Sequence, residues 1–195
     1  MTEAMRLTNS ECVRSLICLI VSNLSVESDN LRAMLLDQSC FYDALLQIVN
    51  SSNTLVFQNA EYVLHNFVVT ASHDHIYQMN QLLKHNWQGE RDDYLVGLVQ
   101  TMLRRKNSVN SQFRGLHVLR HLLEVEEENN HEMGVFHFCE ELAVEQDLNT
   151  LSMSSNSSVQ KEASELLEEF LGVEKEEFGQ EYAVRRNSIK FDEQF

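Results

Sequence analysis

A side-chain amide that accepts from a backbone N–H and donates to a C=O can hold an extended peptide of any sequence. A tyrosine face beside it can take the stem of a Lys or Arg, a contact worth ~0.5–1 kcal/mol when exposed. Tyr62 and Asn66 supply that pair four residues apart, so both point the same way from a helix. Leu19 with Asn23 repeats the spacing, with leucine in place of the ring. Each residue also has a plainer reading. Asn23, followed by Leu24 and Ser25, would close its helix, and Tyr62 would be ordinary amphipathic surface.

Catalysis has less to work with. His117 and His121 are four apart and would seat a metal, but no Glu follows the first as in a His-Glu-x-x-His motif. His73, His75 and His85 have no cysteine or acidic partner at ligand spacing, and read as surface or satisfied core histidines. Cys139 lies two residues from His137, a spacing that sends the two to different helix faces. Glu140 and Glu141 are adjacent and diverge, so no acid–base pair forms. No Ser–His–acid grouping can be assembled from residue order. The chain is therefore expected to be no enzyme, with no catalytic residue, no metal site and no cofactor. Arg185-Arg186-Asn187-Ser188 has the spacing basophilic kinases favour, making Ser188 a phosphorylation candidate, though so short a match also arises by chance. Arg104-Arg105-Lys106 suits the negative end of a helix dipole better than a nucleic acid.

These residues must be positioned by helices. Among 195 residues there is no proline and there are only six glycines, so helices run without breakers while hairpins and glycine-rich phosphate loops lack material. Residues 1–123 carry eleven acids against ten bases; residues 124–195 carry nineteen against five. That acidic end repels phosphate backbones, which argues against nucleic acid, and it attracts basic partners or simply solvates the chain. Cys12, Cys18, Cys40 and Cys139 form no Cys-x-x-Cys motif and are expected as buried free thiols. The apolar run Leu16–Val21 is too short to span a bilayer, so no membrane is expected.

Four segments share one apolar pattern at spacings of three and four: Val13, Leu16, Ile17, Ile20, Val21, Leu24; Val56, Ala60, Val63, Leu64, Phe67, Val68; Gly115, Val118, Leu119, Leu122, Leu123; and Val159, Ala163, Leu166, Leu167, Phe170, Leu171. Aligning them puts Ile20, Val63, Val118 and Leu166 in one core slot, at a period in the forties that suits armadillo or HEAT units. The longer intervals predict insertions at Asn86–Asp93 and at Glu124–His131. Capping boxes are read at Thr8/Glu11 and Ser157/Gln160. Shorter helices are predicted at Leu31–Leu36, Cys40–Val49, Ile76–Leu83, Tyr94–Leu103 and Glu132–Leu142, with a short turn from Asp147 to Met153. Two short helices and one long one per unit favours armadillo over HEAT. In this register Leu19/Asn23, Tyr62/Asn66, His117/His121 and Glu165/Glu169 form a row that lines the concave groove.

On those residues the chain resembles the C-terminal repeats of the importin-α family, the adaptors that carry nuclear-localisation-signal cargo. The family's groove helix bears a Trp-x-x-x-Asn pair, and Tyr62-Val-Leu-His-Asn66 followed by Phe67 is similar, while Leu19-Ile-Val-Ser-Asn23 keeps the Asn only. Phe138-Cys-Glu-Glu through Leu148 to Val159-Gln-Lys-Glu-Ala-Ser, ending Phe170-Leu-Gly-Val-Glu, resembles the family's last repeat and the acidic stretch after it. The likeness covers about residues 10–178. The departures are that the sole tryptophan, Trp87, is off the groove, and that the family's importin-β-binding segment and early repeats have no counterpart.

The expectation is thus an all-α, armadillo-type right-handed helical solenoid of about four repeats, the first incomplete, over residues 1–178, with 179–195 as a flexible tail. The resemblance implies an adaptor in nucleocytoplasmic protein transport, in nucleus and cytoplasm. It would bind extended basic peptides through Leu19, Asn23, Tyr62 and Asn66, and would offer a surface to a nuclear export receptor. The alternative is a divergent armadillo protein-interaction scaffold without localisation-signal binding. At the amino-terminal edge, Cys12, Cys18 and Leu19 are expected to add uncovered apolar area to the first long helix.

Overall fold

The computed structural model describes residues 10–86, 94–128 and 133–171. Thr8, Trp87, most of the Asn86–Asp93 insertion, Ser188 and the boundary at residue 178 lie outside them. The described residues form helices and turns with no strand.

The first long helix, α1 (Glu11–Glu27), begins at Glu11, so Glu11 is its first residue and not the third-position partner of a Thr8 cap. The next unit comprises α2 (Asp29–Leu36), α3 (Ser39–Leu45), α4 (Gln47–Asn50) and α5 (Thr54–Thr70). The single helix expected at Cys40–Val49 is split at Leu46, where the tighter bond from Val49 N–H to the Leu46 carbonyl (3.2 Å) interrupts the α pattern. Asn53 starts α5 by accepting from Leu55 N (3.0 Å) and Val56 N (3.1 Å).

The third unit is α6 (His73–Asn86), α7 (Tyr94–Leu103) and α8 (Val109–Glu128). The acidic insertion read at Glu124–His131 is corrected for its first half, because α8 runs on to Glu128. Val125 and Glu126 are both buried there. The Glu126 carboxylate accepts from the N–H groups of Met133 (3.0 Å), Gly134 (2.7 Å) and Val135 (3.0 Å), and so fixes the start of the next helix.

The fourth unit is α9 (Val135–Glu141), α10 (Val144–Leu151) and α11 (Ser157–Leu166), ending in a π turn at Leu167–Leu171. The turn expected at Asp147–Met153 is instead the end of α10, whose Val144, Leu148 and Leu151 line one buried face at spacings of four and three. The capping box read at Ser157 moves one residue back, since Asn156 accepts from Ser158 N and Val159 N, each at 3.1 Å.

The long helices α1, α5, α8 and α11 pack in succession, while α3–α4, α7 and α10 form the second row and α2, α6 and α9 the first. Among the described residues this is an all-α armadillo arrangement of four stacked units, the first represented by its long helix. One core slot is kept small to let helices approach: Ala60, Gly115 and Ala163. At Gly115 a Cβ would meet Leu103 Cδ2 at 3.0 Å and Met102 Cβ at 3.1 Å. Cys18, Cys40 and Cys139 are buried free thiols as expected, and burial pushes Cys18 and Cys139 up to about 12. Cys12 departs from the expectation and is exposed.

The first helix also departs from its expected face. Ser15, Ile17, Cys18, Val21, Ser22 and Ser25 are the residues it buries, so Cys18 points inward. Val13, Leu16 and Ile20, expected inward, are exposed.

Candidate peptide-binding face

The third-helix row is where the sequence places its peptide-binding residues, and three seams hold that row together. Between α1 and α5 the seam runs on amide-to-hydroxyl bonds, with a charge at one end where Asn53 Nδ2 donates to Glu11 Oε2 at 2.5 Å. Asn59 Nδ2 donates to Ser15 Oγ (2.8 Å), and Asn66 Nδ2 donates to Ser22 Oγ (2.9 Å) and the Ser22 carbonyl (3.4 Å). Thr70 Oγ1 donates to the Ser25 carbonyl at 3.1 Å, which Arg32 also reaches at 2.9 Å. Ser15/Ser22 and Asn59/Asn66 are each seven residues apart, two helical turns, so the bonds form a ladder up the seam.

Between α5 and α8 the seam is charged and buried. Arg114 donates to Glu61 Oε2 at 2.6 Å, the Ser111 hydroxyl donates to Glu61 Oε1, and neither Glu61 nor Ser111 has any exposure. Burial raises the Glu61 carboxyl above its ordinary value, against the opposing hydrogen bonds of Ser111 and Arg114. Between α8 and α11 the seam is ionic and part-exposed. Arg120 reaches Glu162 (2.6 Å), Glu165 (3.6 Å) and Glu169. Burial disfavours its charge, but the carboxylates of Glu162 and Glu169 outweigh that and hold Arg120 above its ordinary value.

The expected residues stand on this framework as follows. Leu19 and Asn23 are exposed on α1. Tyr62 is exposed on α5, with one ring face covered by the Arg114 guanidinium at 4.3 Å. Asn66 is half-buried, its amide N–H groups donate to Ser22, and its Oδ1 lies 3.3 Å from His65 Nδ1. The structure leaves Leu19, Asn23 and Tyr62 exposed on two packed helices, but uses the Asn66 amide to bind those helices together. His117 sits between Phe113 (4.2 Å between centroids) and His65 (6.0 Å, stacked). His121 pairs with Glu124 at 3.2 Å. No group of three or more metal-ligating side chains assembles among the described residues.

Three contributors were not singled out from the sequence: His65, Phe113 and Arg120. His65 and Arg120 each follow a row position by three, which is the signal that would have found them. Burial pushes His65 below its ordinary value; the bond to Asn66 opposes this, and the charges of His117, Arg114 and His121 add to it. The face thus changes along its length. It is uncharged at Leu19 and Asn23, aromatic and imidazole from Tyr62 to His117, and carboxylate-rich from Glu162 to Glu169.

No protein-family model matches the chain, and no curated protein matches it. Among solved structures, the chain is similar to a designed armadillo repeat protein at 11% identity and a TM-score of 0.40, covering 86% of this chain and 97% of that one. An engineered protein is similar at 11% identity and a TM-score of 0.41, covering 86% and 96%.

Proposed function

We propose that the chain is a non-catalytic protein-binding module that holds an extended segment of another protein along its third-helix row. The finer form of this reading is an importin-α-like adaptor in nucleocytoplasmic transport, working in nucleus and cytoplasm. It would take localisation-signal peptides on the row and offer a surface to a nuclear export receptor. The observation that carries it is the polarity of the row: an uncharged end at Leu19 and Asn23, a ring-lined middle at Tyr62, and a far end where Glu162, Glu165 and Glu169 outnumber the Arg120 and Lys161 that pair with them. A bound segment would lay apolar residues over α1 and Lys or Arg over α11, its backbone held by the exposed amide of Asn23.

Fluorescence titration of a labelled basic signal peptide at two salt concentrations tests this. Exposed charge attraction is screened over about 8 Å at physiological ionic strength, so affinity should fall as salt rises. Equal affinity for an acidic peptide would reject the reading.

A second reading, a scaffold that docks another protein without recognising localisation signals, is favoured by a specific arrangement. Asn66 donates to Ser22 and Arg114 covers one face of Tyr62, so the two residues nearest to the family's clamp are engaged within the molecule. On that reading Asn23→Ala leaves basic-peptide affinity unchanged.

A further inference from the structure

Two serines in the chain have arginine three residues before them, Ser108 and Ser188. Both stand in one five-residue pattern: Arg105-Lys106-Asn107-Ser108-Val109 and Arg185-Arg186-Asn187-Ser188-Ile189. Each has two bases, then asparagine, then the serine, then a β-branched aliphatic residue. The first copy lies within the described residues, on the connection between α7 and α8. There Arg104, Lys106, Asn107 and Val109 are exposed, and Arg105 and Ser108 are half-buried. Val109 is 44% exposed, so its side chain is offered to solvent and not spent on the core.

We infer that Ser108 is a phosphorylation site for a basophilic serine kinase. Such an enzyme reads the guanidinium and ammonium groups ahead of the serine with its own carboxylates, and takes the aliphatic residue after it into an apolar slot. The connection can be drawn out for this without unpacking the core, because none of residues 104–110 is buried. What holds it is local. The Ser108 N–H donates to the Arg105 carbonyl at 3.1 Å, and the Ser111 N–H to Ser108 Oγ at 3.2 Å. The Arg105 guanidinium rests on the Phe57 ring, 3.5 Å from its centroid. ATP is the phosphoryl donor. The bond from Ser108 Oγ to the γ-phosphorus forms as the bond to the ADP oxygen breaks, and the hydroxyl proton passes to the kinase's catalytic carboxylate.

The product has a place in the fold. Ser108 directly precedes α8, and the first N–H groups of a helix have no acceptor within it. The positive end of the helix dipole favours an anion there. A phosphate of about −2 charge replaces the hydroxyl as the acceptor for Ser111 N–H, with exposed Lys106 two residues away. The modification therefore tightens the start of α8, the helix whose Ser111 and Arg114 hold Glu61.

The experiment incubates the folded full chain with ATP and the catalytic subunit of a cyclic-AMP-dependent protein kinase, and locates phosphate by peptide mass spectrometry. It is run on Ser188→Ala, so that the second copy of the pattern contributes nothing. Phosphate on Ser108 alone is expected. Ser108→Asn in that background keeps a side-chain oxygen to cap α8 and removes the hydroxyl, so it should take no phosphate and melt as its parent does. Arg105→Gln should slow the transfer about tenfold or more. The phosphorylated chain should melt higher than the unmodified one. No transfer, phosphate elsewhere, or an equal rate with Arg105→Gln overturns the inference. So does transfer to a free peptide of residues 103–112 but not to the folded chain, since the connection would then be closed to a kinase. A phosphorylated chain that melts no higher than the unmodified one overturns the capping of α8.

Discussion

The seams on the two sides of α5 join equivalent helices with opposite chemistry. Toward α1, Asn59 and Asn66 bond serine hydroxyls, with Glu11 on Asn53 at one end of the ladder and Arg32 at Ser25 at the other. Toward α8, a carboxylate with no exposure is held by one guanidinium and one hydroxyl. Neutral bonds of this kind each contribute about 0.5–1.5 kcal/mol net. A buried pair is different: its formation is nearly neutral against an apolar core, yet breaking it is severe. The difference teaches that the α5–α8 seam fixes which helix stacks on which, while the α1–α5 seam adds adhesion in small increments.

The strongest way to break this comparison is Glu61→Ala, which leaves Arg114 charged and buried. Urea unfolding should show a loss of about 3–5 kcal/mol. A loss no larger than that from Asn59→Ala would show that water reaches the pair and that the seams are alike. Gly115→Ala insults α8 sterically, with no change of charge, by pushing against Leu103 and Met102. It should cost about 1–3 kcal/mol, separating packing on α8 from its electrostatics.

Asn59→Ala and Asn66→Ala should each cost about 0.5–1.5 kcal/mol and add when combined, as independent rungs do. This changes the expectation for Asn66, which the sequence alone places in the groove with no part in stability. The smallest effect is on pH. The folded His65 imidazole lies below the ordinary 6.5, so the unfolded chain takes up the proton first as pH falls. Its contribution is complete above about 6.5 and is lost as pH drops toward the folded value. Melting curves between pH 7.5 and roughly 5.5 should be shallower for His65→Gln, and an unchanged slope would show that His65 does not titrate with folding.

Much of this architecture was legible before any coordinates. Tyr94–Leu103 is found at the expected bounds because its apolar run is clearly delimited on both sides. The slot series Val63, Val118, Leu166 is buried throughout, as the period predicts. What failed had a common physical cause. Glu124–Glu128 reads as solvated acid, but Glu126 is buried because its hydrogen-bond donors arrive seven to nine residues later. Val13 and Ile20 have the right spacing for a core, yet burial depends on a neighbouring helix that the spacing cannot supply. Leu19 shares a helix face with Asn23, and Tyr62 with Asn66, because period alone fixes that. Whether an amide on that face is free depends on Ser22, 44 residues away from its partner.

The carboxylate of Glu126 has a practical corollary. It grips Met133, Gly134 and Val135 from the body of α8, so the start of α9 is anchored by a side chain. A fault at Glu126 is therefore read out in the next helix: hydrogen exchange at the amides of Met133, Gly134 and Val135 reports on a carboxylate seven to nine residues earlier.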